Sequence, residues 1–275
     1  MGALNAILDM VNDQRGFDFS GYRRAMLERR IQKRLYSTNC KNTDEYLHYL
    51  SQHPFELDEL VDVFTIKVSE FFRNSMVFDF IKKLIIPELA STNTKNQENN
   101  LRIWSAGCSH GEEPYSMTIL LNELLEKEAG LFNFKIFATD IDKKALSVAE
   151  KATYSLRSVG SVKYAVLNKY FTQEKDLFVL DREIVKKVQF SFYDLLDKKS
   201  SVPSSSIFGG FDIVLCRNVL IYFEMPSQQI IFEKLYKSLK PNGYLILGEA
   251  EMPVEGFKDK FKRVNNYCKI YRKKT

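Results

Sequence analysis

The stretch from Leu101 to Ser116, LRIWSAGCSHGEEPYS, is the feature that most constrains how this chain can fold. An apolar strand, LRIW, turns through small residues and opens a helix at the sequence GEEP. Open α/β sheets bind nucleotide-like ligands at such a strand–turn–helix, because the helix N-terminus presents free N–H groups. Acidic residues and proline in a first helical turn are also ordinary helix-start signals, so this stretch alone leaves a purely structural reading open.

The residues of the turn narrow the class of ligand. Only Gly107 and Gly111 are present, so the turn is not the G-x-G-x-x-G of dinucleotide sites. Glu112 and Glu113 would repel a pyrophosphate, but they can accept hydrogen bonds from a ribose or an ammonium group. An adenosine-bearing ligand without phosphates is therefore favoured, and S-adenosylmethionine fits.

A second apolar run, FKIFATDID, ends in Asp140 and Asp142. An acidic side chain at the carboxyl end of the strand that follows the glycine turn is where Rossmann-type sheets contact ribose hydroxyls. At least one of the two aspartates is expected to cap the next helix instead. The two signals lie about thirty residues apart, which is the length of one βαβ unit.

Composition sets the general class. The chain has 275 residues, of which 45% are hydrophobic and 27% charged, which is enough for one large domain and a smaller one. No apolar run is long enough to span a membrane, and the N-terminus lacks the features of a signal peptide, so we expect a cytoplasmic protein. The cysteines are scattered and predict reduced thiols with neither a disulfide nor a metal site: Cys40, Cys108, Cys216 and Cys268.

Three regions separate along the chain. Residues 1–75 have an all-helical pattern, and a further helix is predicted from Met76 to Leu89. The polar string from Ser91 to Asn100 predicts an exposed loop. Beyond it strands and helices alternate, which indicates an α/β fold with a mostly parallel sheet. The predicted strands are Leu101–Trp104, Lys135–Thr139, Val188–Phe192, Asp212–Cys216 and Tyr244–Gly248, with a terminal pair near Phe261–Val264 and Tyr267–Tyr271.

The strand sequence FDIVLC runs into Arg217 and Asn218 and then into an apolar turn with Tyr222. Ligands bind at the carboxyl ends of strands in open α/β sheets, so these side chains should face the same cleft as the acidic residues above. An arginine among apolar neighbours is costly unless it meets a carboxylate. A buried structural pair with an acid such as Glu224 or Glu249 is the alternative.

Together these motifs resemble the CheR-type chemotaxis methyltransferases. The resemblance implies a Rossmann-like S-adenosylmethionine-dependent methyltransferase sheet (residues 76–275), a helical N-terminal domain (1–75) and a small inserted β-subdomain (about 154–194). It also implies methyl transfer to glutamate side chains in the cytoplasmic helical region of methyl-accepting chemotaxis receptors, with S-adenosylhomocysteine as product. The matching segments, in the family's order, are TIKVSEFFR (65–73), AGCSHGEEPYS (106–116), ATDID (138–142) and CRNVLIYF (216–223).

The resemblance also implies roles for individual residues. Arg217 and Tyr222 match positions near the transferred methyl group and are the catalytic candidates. Lys67 stands where the family usually has asparagine, which leaves the cofactor contact at that position open. The implied cofactor-binding residues are Lys67, Ser69, Arg73, Glu113, Asp140, Asp194, Leu195, Arg217 and Asn218.

A basic segment, YRRAMLERRIQKR, lies in the helical region. At about 100° per residue its basic side chains form a stripe beside an apolar face. Such a stripe suits an acidic helical partner, as a receptor methylation region would be, although an ordinary solvated face is the alternative. Interleaved aromatic residues of a nucleic-acid platform are not visible, so no nucleic-acid partner is expected. The docking candidates are Arg23, Arg29, Arg30, Lys33 and Arg34.

The inserted region is predicted to contain a hairpin of DLFVL with EIVKKVQFSF. In some family members this subdomain binds a peptide at the receptor C-terminus through a glycine-containing loop. The corresponding segment here, TQEKD, has no glycine, so we expect an enzyme that does not depend on such a tether. We also expect the enzyme to be a monomer. An NAD-linked oxidoreductase, a catalytically silent docking module and a methyltransferase with another substrate are the remaining alternatives.

Overall fold

The computed structural model describes residues 2–65, 67–95, 100–127, 132–197, 200, 202–203 and 209–275. The chain divides into two compact units: Met1–Ile66 with Ile221–Gln228, and Lys67–Leu220 with Gln229–Thr275. The division therefore falls between Ile66 and Lys67, earlier than residue 75, which the sequence predicts as the end of the helical domain. The physical reason is Phe71, whose buried ring packs edge-on against Tyr154 and Phe171 of the second unit.

The first unit is built from four helices, α1 (Ala3–Arg15), α2 (Arg24–Thr38), α3 (Thr43–Gln52) and α4 (Glu56–Phe64). The side chain of Asn42 caps α3 by accepting from the N–H of Glu45. Apolar side chains from all four helices form one core. Its fully or nearly fully buried members include Ile7, Val11, Leu27, Ile31, Tyr46, Leu57, Leu60 and Phe64.

A continuous helical stretch follows, consisting of α5 (Ser75–Phe80), a π-helical segment (Ile81–Ile85) and α6 (Ile86–Lys95). The sequence predicted that this helix ends at Leu89 and that a loop starts at Ser91, which is wrong for residues 91–95. A helix that is already nucleated extends at little cost, so a polar turn can continue it. Residues 96–99 of the predicted loop lie outside the described residues.

Two sheets form in the second unit, a seven-stranded central sheet and a three-stranded one. The strands in chain order are β1 (Asn100–Ala106), β2 (Asn133–Asp140), β3 (Thr153–Ser155), β4 (Phe171–Glu174), β5 (Leu177–Leu180), β6 (Val188–Phe192), β7 (Phe211–Cys216), β8 (Leu239–Leu247), β9 (Phe261–Arg263) and β10 (Ile270–Lys273). The accompanying helices are α7 (Glu112–Lys127), α8 (Lys143–Lys151), α9 (Leu156–Val159), α10 (Tyr164–Tyr170), α11 (Arg182–Val185) and α12 (Met225–Ser238).

The central sheet has the order β6-β2-β1-β7-β8-β10-β9. Its first five strands are parallel, and β10 pairs antiparallel with both β8 and β9. All five predicted main strands and the terminal pair are present, which confirms the predicted α/β class. The chain leaves β1 towards β2 and later returns on the other side to β7. The topological switch point, where such sheets bind ligands, therefore lies between the carboxyl ends of β1 and β7.

The inserted subdomain is the antiparallel sheet β3-β5-β4. The predicted hairpin is wrong in its pairing: the strand within DLFVL pairs with Phe171–Glu174 instead of with EIVKKVQFSF. The first residues of the latter segment form α11, and Val188–Phe192 pairs parallel with β2 at the edge of the central sheet. The inserted sheet therefore ends at Leu180, before the predicted limit of residue 194.

Among the described residues, no helix combines the length and apolar character needed to cross a membrane.

Candidate functional site

The turn between β1 and α7 requires glycine at its start. Gly107 has φ +75°, and the N–H groups of Gly107 and Cys108 donate to the carbonyl of Thr139 at 2.8 and 2.9 Å. A Cβ atom on Gly107 would lie 2.5 Å from Cγ2 of Val219 in the loop after β7. The glycine therefore lets the loops that follow β1 and β7 approach each other at the switch point.

The two aspartates at the end of β2 have different roles. Asp142 caps α8 by accepting from the N–H groups of Lys144 and Ala145, which confirms that one of the pair is a capping residue. Its Oδ2 also lies 2.8 Å from Nζ of Lys67. Asp140 does not cap the helix, and this leaves it as the candidate for ribose hydroxyls.

Asp140 is partly exposed at the end of its strand. Its Oδ2 accepts from the N–H of Ser109 at 2.8 Å, and its Oδ1 accepts from the N–H of Asp142 at 2.9 Å. Burial raises the pKa of the Asp140 carboxyl, and these N–H donors oppose that shift. A carboxylate has about four lone-pair sites, so each oxygen can still accept a hydrogen bond from a ligand.

A buried ion pair joins the first turn of α7 to the residue that follows β7. Oε2 of Glu113 lies 3.1 Å from a terminal guanidinium nitrogen of Arg217, and Oε1 accepts from the hydroxyl of Ser105 at 2.7 Å. The side chain of Glu113 is 13% exposed and that of Arg217 is 3% exposed. Arg217 thus has the carboxylate partner that an apolar environment demands, but the partner is Glu113 and not Glu224 or Glu249.

The second terminal nitrogen of Arg217 contacts the segment Lys67–Asn74, which we call the strap. The other terminal nitrogen donates to the carbonyl of Arg73 at 2.7 Å and to Oδ1 of Asn74 at 3.2 Å. Nδ2 of Asn74 in turn donates to Glu249 at 2.6 Å. The Nε atom of Arg217 is buried and has no hydrogen-bond partner among the described residues.

The strap carries three of the implied cofactor contacts, Lys67, Ser69 and Arg73, and its backbone is strained. Phe72 and Asn74 have φ of +55° and +58°, a conformation that side-chain-bearing residues rarely adopt. The N–H of Phe72 donates to the hydroxyl of Ser116 in α7 at 2.8 Å. Strained backbone persists only where the surrounding structure fixes it, and the hydrogen bond from Phe72 to Ser116 is one contact that fixes the strap.

Glu112, the first residue of α7, is 1% exposed. Burial raises its pKa to about 7, opposed by hydrogen bonds from its own N–H and from Ser69. Its Oε2 has no hydrogen-bond partner among the described residues. Glu112 and Glu113 thus place two acidic side chains in the first turn of α7, which suits the sulfonium and ammonium charges of S-adenosylmethionine and disfavours phosphates.

The segment after β6 lies beside the end of β2, because the N–H of Tyr193 donates to the carbonyl of Asp140 at 3.0 Å. Asp194 accepts from the N–H of Leu196, and Leu195 is buried. Both residues thus follow a strand that neighbours the one bearing Asp140, although their contact with adenine stays a prediction.

Tyr222 belongs to the first unit, where its carbonyl accepts from the N–H of Arg23 at 2.8 Å and its ring packs against the helical core. Asn218 begins the loop after Arg217 with φ +60°. The catalytic role assigned to Tyr222 and the cofactor contact assigned to Asn218 stay predictions.

The predicted docking stripe on α2 needs one correction. Arg34 makes two hydrogen bonds of 2.7 Å to Glu56, whose Oε1 also accepts from the hydroxyl of Tyr46. Its side chain is only 16% exposed, so Arg34 stabilises the helical core and is not a free docking residue. Its partner lies far along the chain, so the helical pattern of α2 could not reveal the pair.

The other basic residues of the stripe remain at the surface. Arg29 and Lys33 are exposed and Arg30 is partly buried. Arg23 is exposed as well, although its Nε donates to the carbonyl of Phe223 at 3.2 Å.

Sequence reasoning missed several residues that shape the site. Ser105 and Asn74 orient the Glu113–Arg217 pair, and Glu251 accepts hydrogen bonds from the loop after β7. Asn74 and Glu251 act through contacts between distant parts of the chain, whereas Ser105 contacts a residue in the next element. Of these residues, only Ser105 has a local signal in the sequence, since it lies in the run of small residues at the end of β1.

Comparison with known proteins gives two family matches. Residues 67–270 match "CheR methyltransferase, SAM binding domain", and residues 2–65 match "CheR methyltransferase, all-alpha domain". The boundary between the matches agrees with the division seen in the structure.

Similar curated proteins extend over most of the chain. A chemotaxis protein methyltransferase of Borreliella burgdorferi is 33% identical over 252 residues, covering 90% of this chain and 87% of its own. One from Salmonella typhimurium is 31% identical over 251 residues, covering 89% and 82%. Among solved structures, PKMT2 from Rickettsia typhi in complex with AdoHcy superposes with a TM-score of 0.33 and 16% identity over 54% of this chain and 20% of that chain. The family matches confirm the expected enzyme class and its cofactor, S-adenosylmethionine.

Proposed function

Because the chain belongs to the CheR family of S-adenosylmethionine-dependent chemotaxis methyltransferases, we propose that it methylates glutamate side chains of chemoreceptors. The products are glutamate methyl esters and S-adenosylhomocysteine, and the reaction serves sensory adaptation. The observation that carries the proposal is the buried Glu113–Arg217 pair at the switch point. It places a carboxylate beside an arginine whose Nε has no hydrogen-bond partner in the part of the chain that the structure describes.

The chemistry suits a carboxylate substrate. S-adenosylmethionine supplies a methyl group made electrophilic by the sulfonium. A glutamate side chain has an unperturbed pKa of about 4.3, so it is ionised at neutral pH and the reaction needs no general base. The work left to the protein is alignment and the exclusion of water. Alignment alone is worth roughly 7–11 kcal/mol in the best intramolecular systems.

The side chains at the switch point divide this work. Asp140 accepts from the ribose hydroxyls, and Glu113 attracts the ammonium group of the cofactor's amino acid moiety. Ser69, Arg73 and the main chain of the strap cover the cofactor. Asp194 and Leu195 flank the adenine, and Asn218 lines the same pocket.

Two residues act on the carboxylate. The Nε–H of Arg217 is the donor that steers it, because its other hydrogen-bonding groups already hold Glu113 and the strap. Tyr222 orients the carboxylate through its hydroxyl.

Receptor docking is assigned to the exposed basic face of α2. Arg29, Arg30 and Lys33 present positive charge on one side of the helix, and an acidic receptor helix in the cytoplasm complements it. Reversing charge with Arg29→Glu and Lys33→Glu should raise the receptor KM several-fold and leave the affinity for S-adenosylhomocysteine unchanged. Lys41→Glu, an exposed reversal just after α2, is the matched control, and equal effects from both sets would reject this docking face.

The inserted sheet supports independence from a receptor tether. The turn between β4 and β5 consists of Lys175 and Asp176 and leaves no extended loop for a peptide. We expect equal turnover on receptors with and without their C-terminal segment. Turnover that depends on this segment would refute the expectation.

The decisive experiment uses the full chain, S-adenosylmethionine with a tritiated methyl group, and a receptor cytoplasmic fragment. Methyl esters of glutamate release labelled methanol in base, whereas N-methyl groups do not. The proposal predicts base-labile label that disappears when the receptor glutamates are replaced by alanine. Base-stable label would indicate another substrate group, and receptor binding without label would indicate a docking module.

A further inference from the structure

Glu251 lies in the segment after β8 and contacts the loop that follows β7. Its Oε2 accepts from the N–H groups of Asn218 at 3.0 Å and Gly248 at 2.6 Å. Its Oε1 accepts from the N–H groups of Val219 at 2.9 Å and Leu220 at 2.8 Å. Three successive N–H groups of one loop therefore converge on a single carboxylate.

The carboxylate is enclosed, because Glu251 is 4% exposed. A Cβ atom on Gly248 would lie 2.7 Å from Oε2 of Glu251 and 2.8 Å from the backbone nitrogen of Asn218. Glycine at this position leaves the space that the carboxylate occupies. Burial raises the pKa of Glu251, and the four N–H donors oppose that shift.

This arrangement demands an ionised carboxylate of this length. Burying a charge is costly, and charge-assisted hydrogen bonds from backbone amides offset the cost. A carboxamide of the same shape has only one acceptor oxygen, so it would leave at least two of the four N–H groups without an acceptor. A buried N–H group without an acceptor destabilises the folded conformation of this loop, because the group has given up its hydrogen bond to water and gained none in return.

The loop that Glu251 holds begins directly after Arg217. Asn218 adopts φ +60°, a left-handed conformation that is sparsely populated although asparagine tolerates it better than most residues. Arg217 must be placed within hydrogen-bond reach of Glu113 and of the carbonyl of Arg73 at the same time. Fixing the next three N–H groups fixes where the arginine leaves the strand.

We propose that Glu251 is a positioning residue for methyl transfer, which acts by holding the loop 218–220 so that Arg217 spans Glu113 and the strap. The proposal rests on the proposed function for its effect on turnover. Its effect on the loop is independent of any substrate.

The test compares Glu251→Gln with Asp212→Asn in the full chain. Asp212 is the matched control, because it is 3% exposed and accepts from the N–H of Arg102 at 2.8 Å at the opposite end of the same strand, β7. Both variants lose a buried carboxylate that binds backbone. Of the two carboxylates, Glu251 contacts the loop beside Arg217 and Asp212 does not.

We expect Glu251→Gln to speed amide hydrogen exchange at residues 218, 219 and 220 by at least about tenfold relative to Asp212→Asn. Turnover at saturating S-adenosylmethionine should fall roughly 10- to 100-fold, while Asp212→Asn stays within about threefold of the wild type. Glu251→Asp, which keeps the charge, should recover part of the turnover and provides a second variant if the amide variant does not fold.

Equal exchange and equal turnover in Glu251→Gln and Asp212→Asn would overturn the proposal, since both residues would then be merely structural. A failure of the proposed function is distinguishable. In that case the wild type would transfer no methyl group to the receptor, and the exchange rates at 218–220 would still decide whether Glu251 holds the loop.

Discussion

Among the described residues, each unit has a largely buried arginine–glutamate pair, and the two pairs differ in how many of their hydrogen-bonding groups have partners. In the helical unit, Arg34 makes two bonds of 2.7 Å to Glu56, and the carboxylate also accepts from Tyr46. In the α/β unit, Arg217 meets Glu113 at one nitrogen, and its Nε has no partner among the described residues. The first pair fixes a core. The second retains a donor without a partner among the described residues, at the edge where we propose that the cofactor binds.

The largest effect is expected from breaking the structural pair. Glu56→Ala leaves the Arg34 guanidinium buried without its partner, which should lower the free energy of unfolding by about 3–5 kcal/mol. Urea denaturation of the full chain measures this. Glu59→Ala is the control, because Glu59 is 61% exposed and lies 3.6 Å from Arg34, and it should cost less than about 1 kcal/mol. Similar losses in both variants would contradict the assignment.

The site pair should respond in turnover. Lysine at position 217 cannot span Glu113, the carbonyl of Arg73 and an incoming carboxylate. Arg217→Lys should therefore lower kcat roughly 100- to 1000-fold, or about 2.7–4 kcal/mol, with less than about tenfold loss in S-adenosylhomocysteine affinity. Steady-state kinetics and isothermal titration separate the two. A loss of stability with unchanged kcat would make this pair equivalent to that of Arg34.

A third buried carboxylate extends the comparison, because Glu112 has Ser69 as its hydrogen-bonding side chain instead of an arginine. Its folded-state pKa of about 7 lies above the ordinary value of 4.5. Its stabilising contribution is therefore present below pH 4.5 and is lost as the pH rises through 7. Between pH 4.5 and 8 the wild type should lose about 3 kcal/mol more stability than Glu112→Gln. Parallel pH–stability curves would show that Glu112 does not titrate in this range.

The smallest effect concerns the ion pair of Lys67 with Asp142, which ties the strap to the end of β2. Lys67→Ala should weaken S-adenosylhomocysteine binding by about fivefold, or ~1 kcal/mol, and the difference should shrink at high salt. Lys82→Ala, which breaks a pair with Glu123 whose lysine is similarly exposed (30%, against 22% for Lys67), is the control and should leave binding unchanged. Equal affinities in the two variants would exclude Lys67 from the site.

The strands and the glycine turn were predictable because their signals are local. Apolar runs that end in Asp140 or Arg217 mark both a strand and the edge at which it ends. The capping role of one aspartate in the pair Asp140 and Asp142 was predictable for the same reason, since helix caps follow simple spacing rules.

Other features depend on contacts between distant residues. Arg34 lies beside the apolar face of α2, and only the position of Glu56 decides that it points into the core. β5 could pair with β4 upstream or with an equally apolar segment downstream, and the local sequence does not decide between them. The structure shows that it pairs with β4. Glu251 lies in a short segment with no motif of its own. Its hydrogen bonds to the loop after β7 form because β7 and β8 are neighbours in the sheet.

The most direct measurement is a crystal structure of the chain with S-adenosylhomocysteine. The account predicts the nucleoside at the carboxyl ends of β1 and β2, with the ribose hydroxyls on the carboxylate of Asp140 and the amino acid moiety beside Glu113 and Arg217. A nucleoside bound away from this edge, with the Glu113–Arg217 pair untouched, would contradict it.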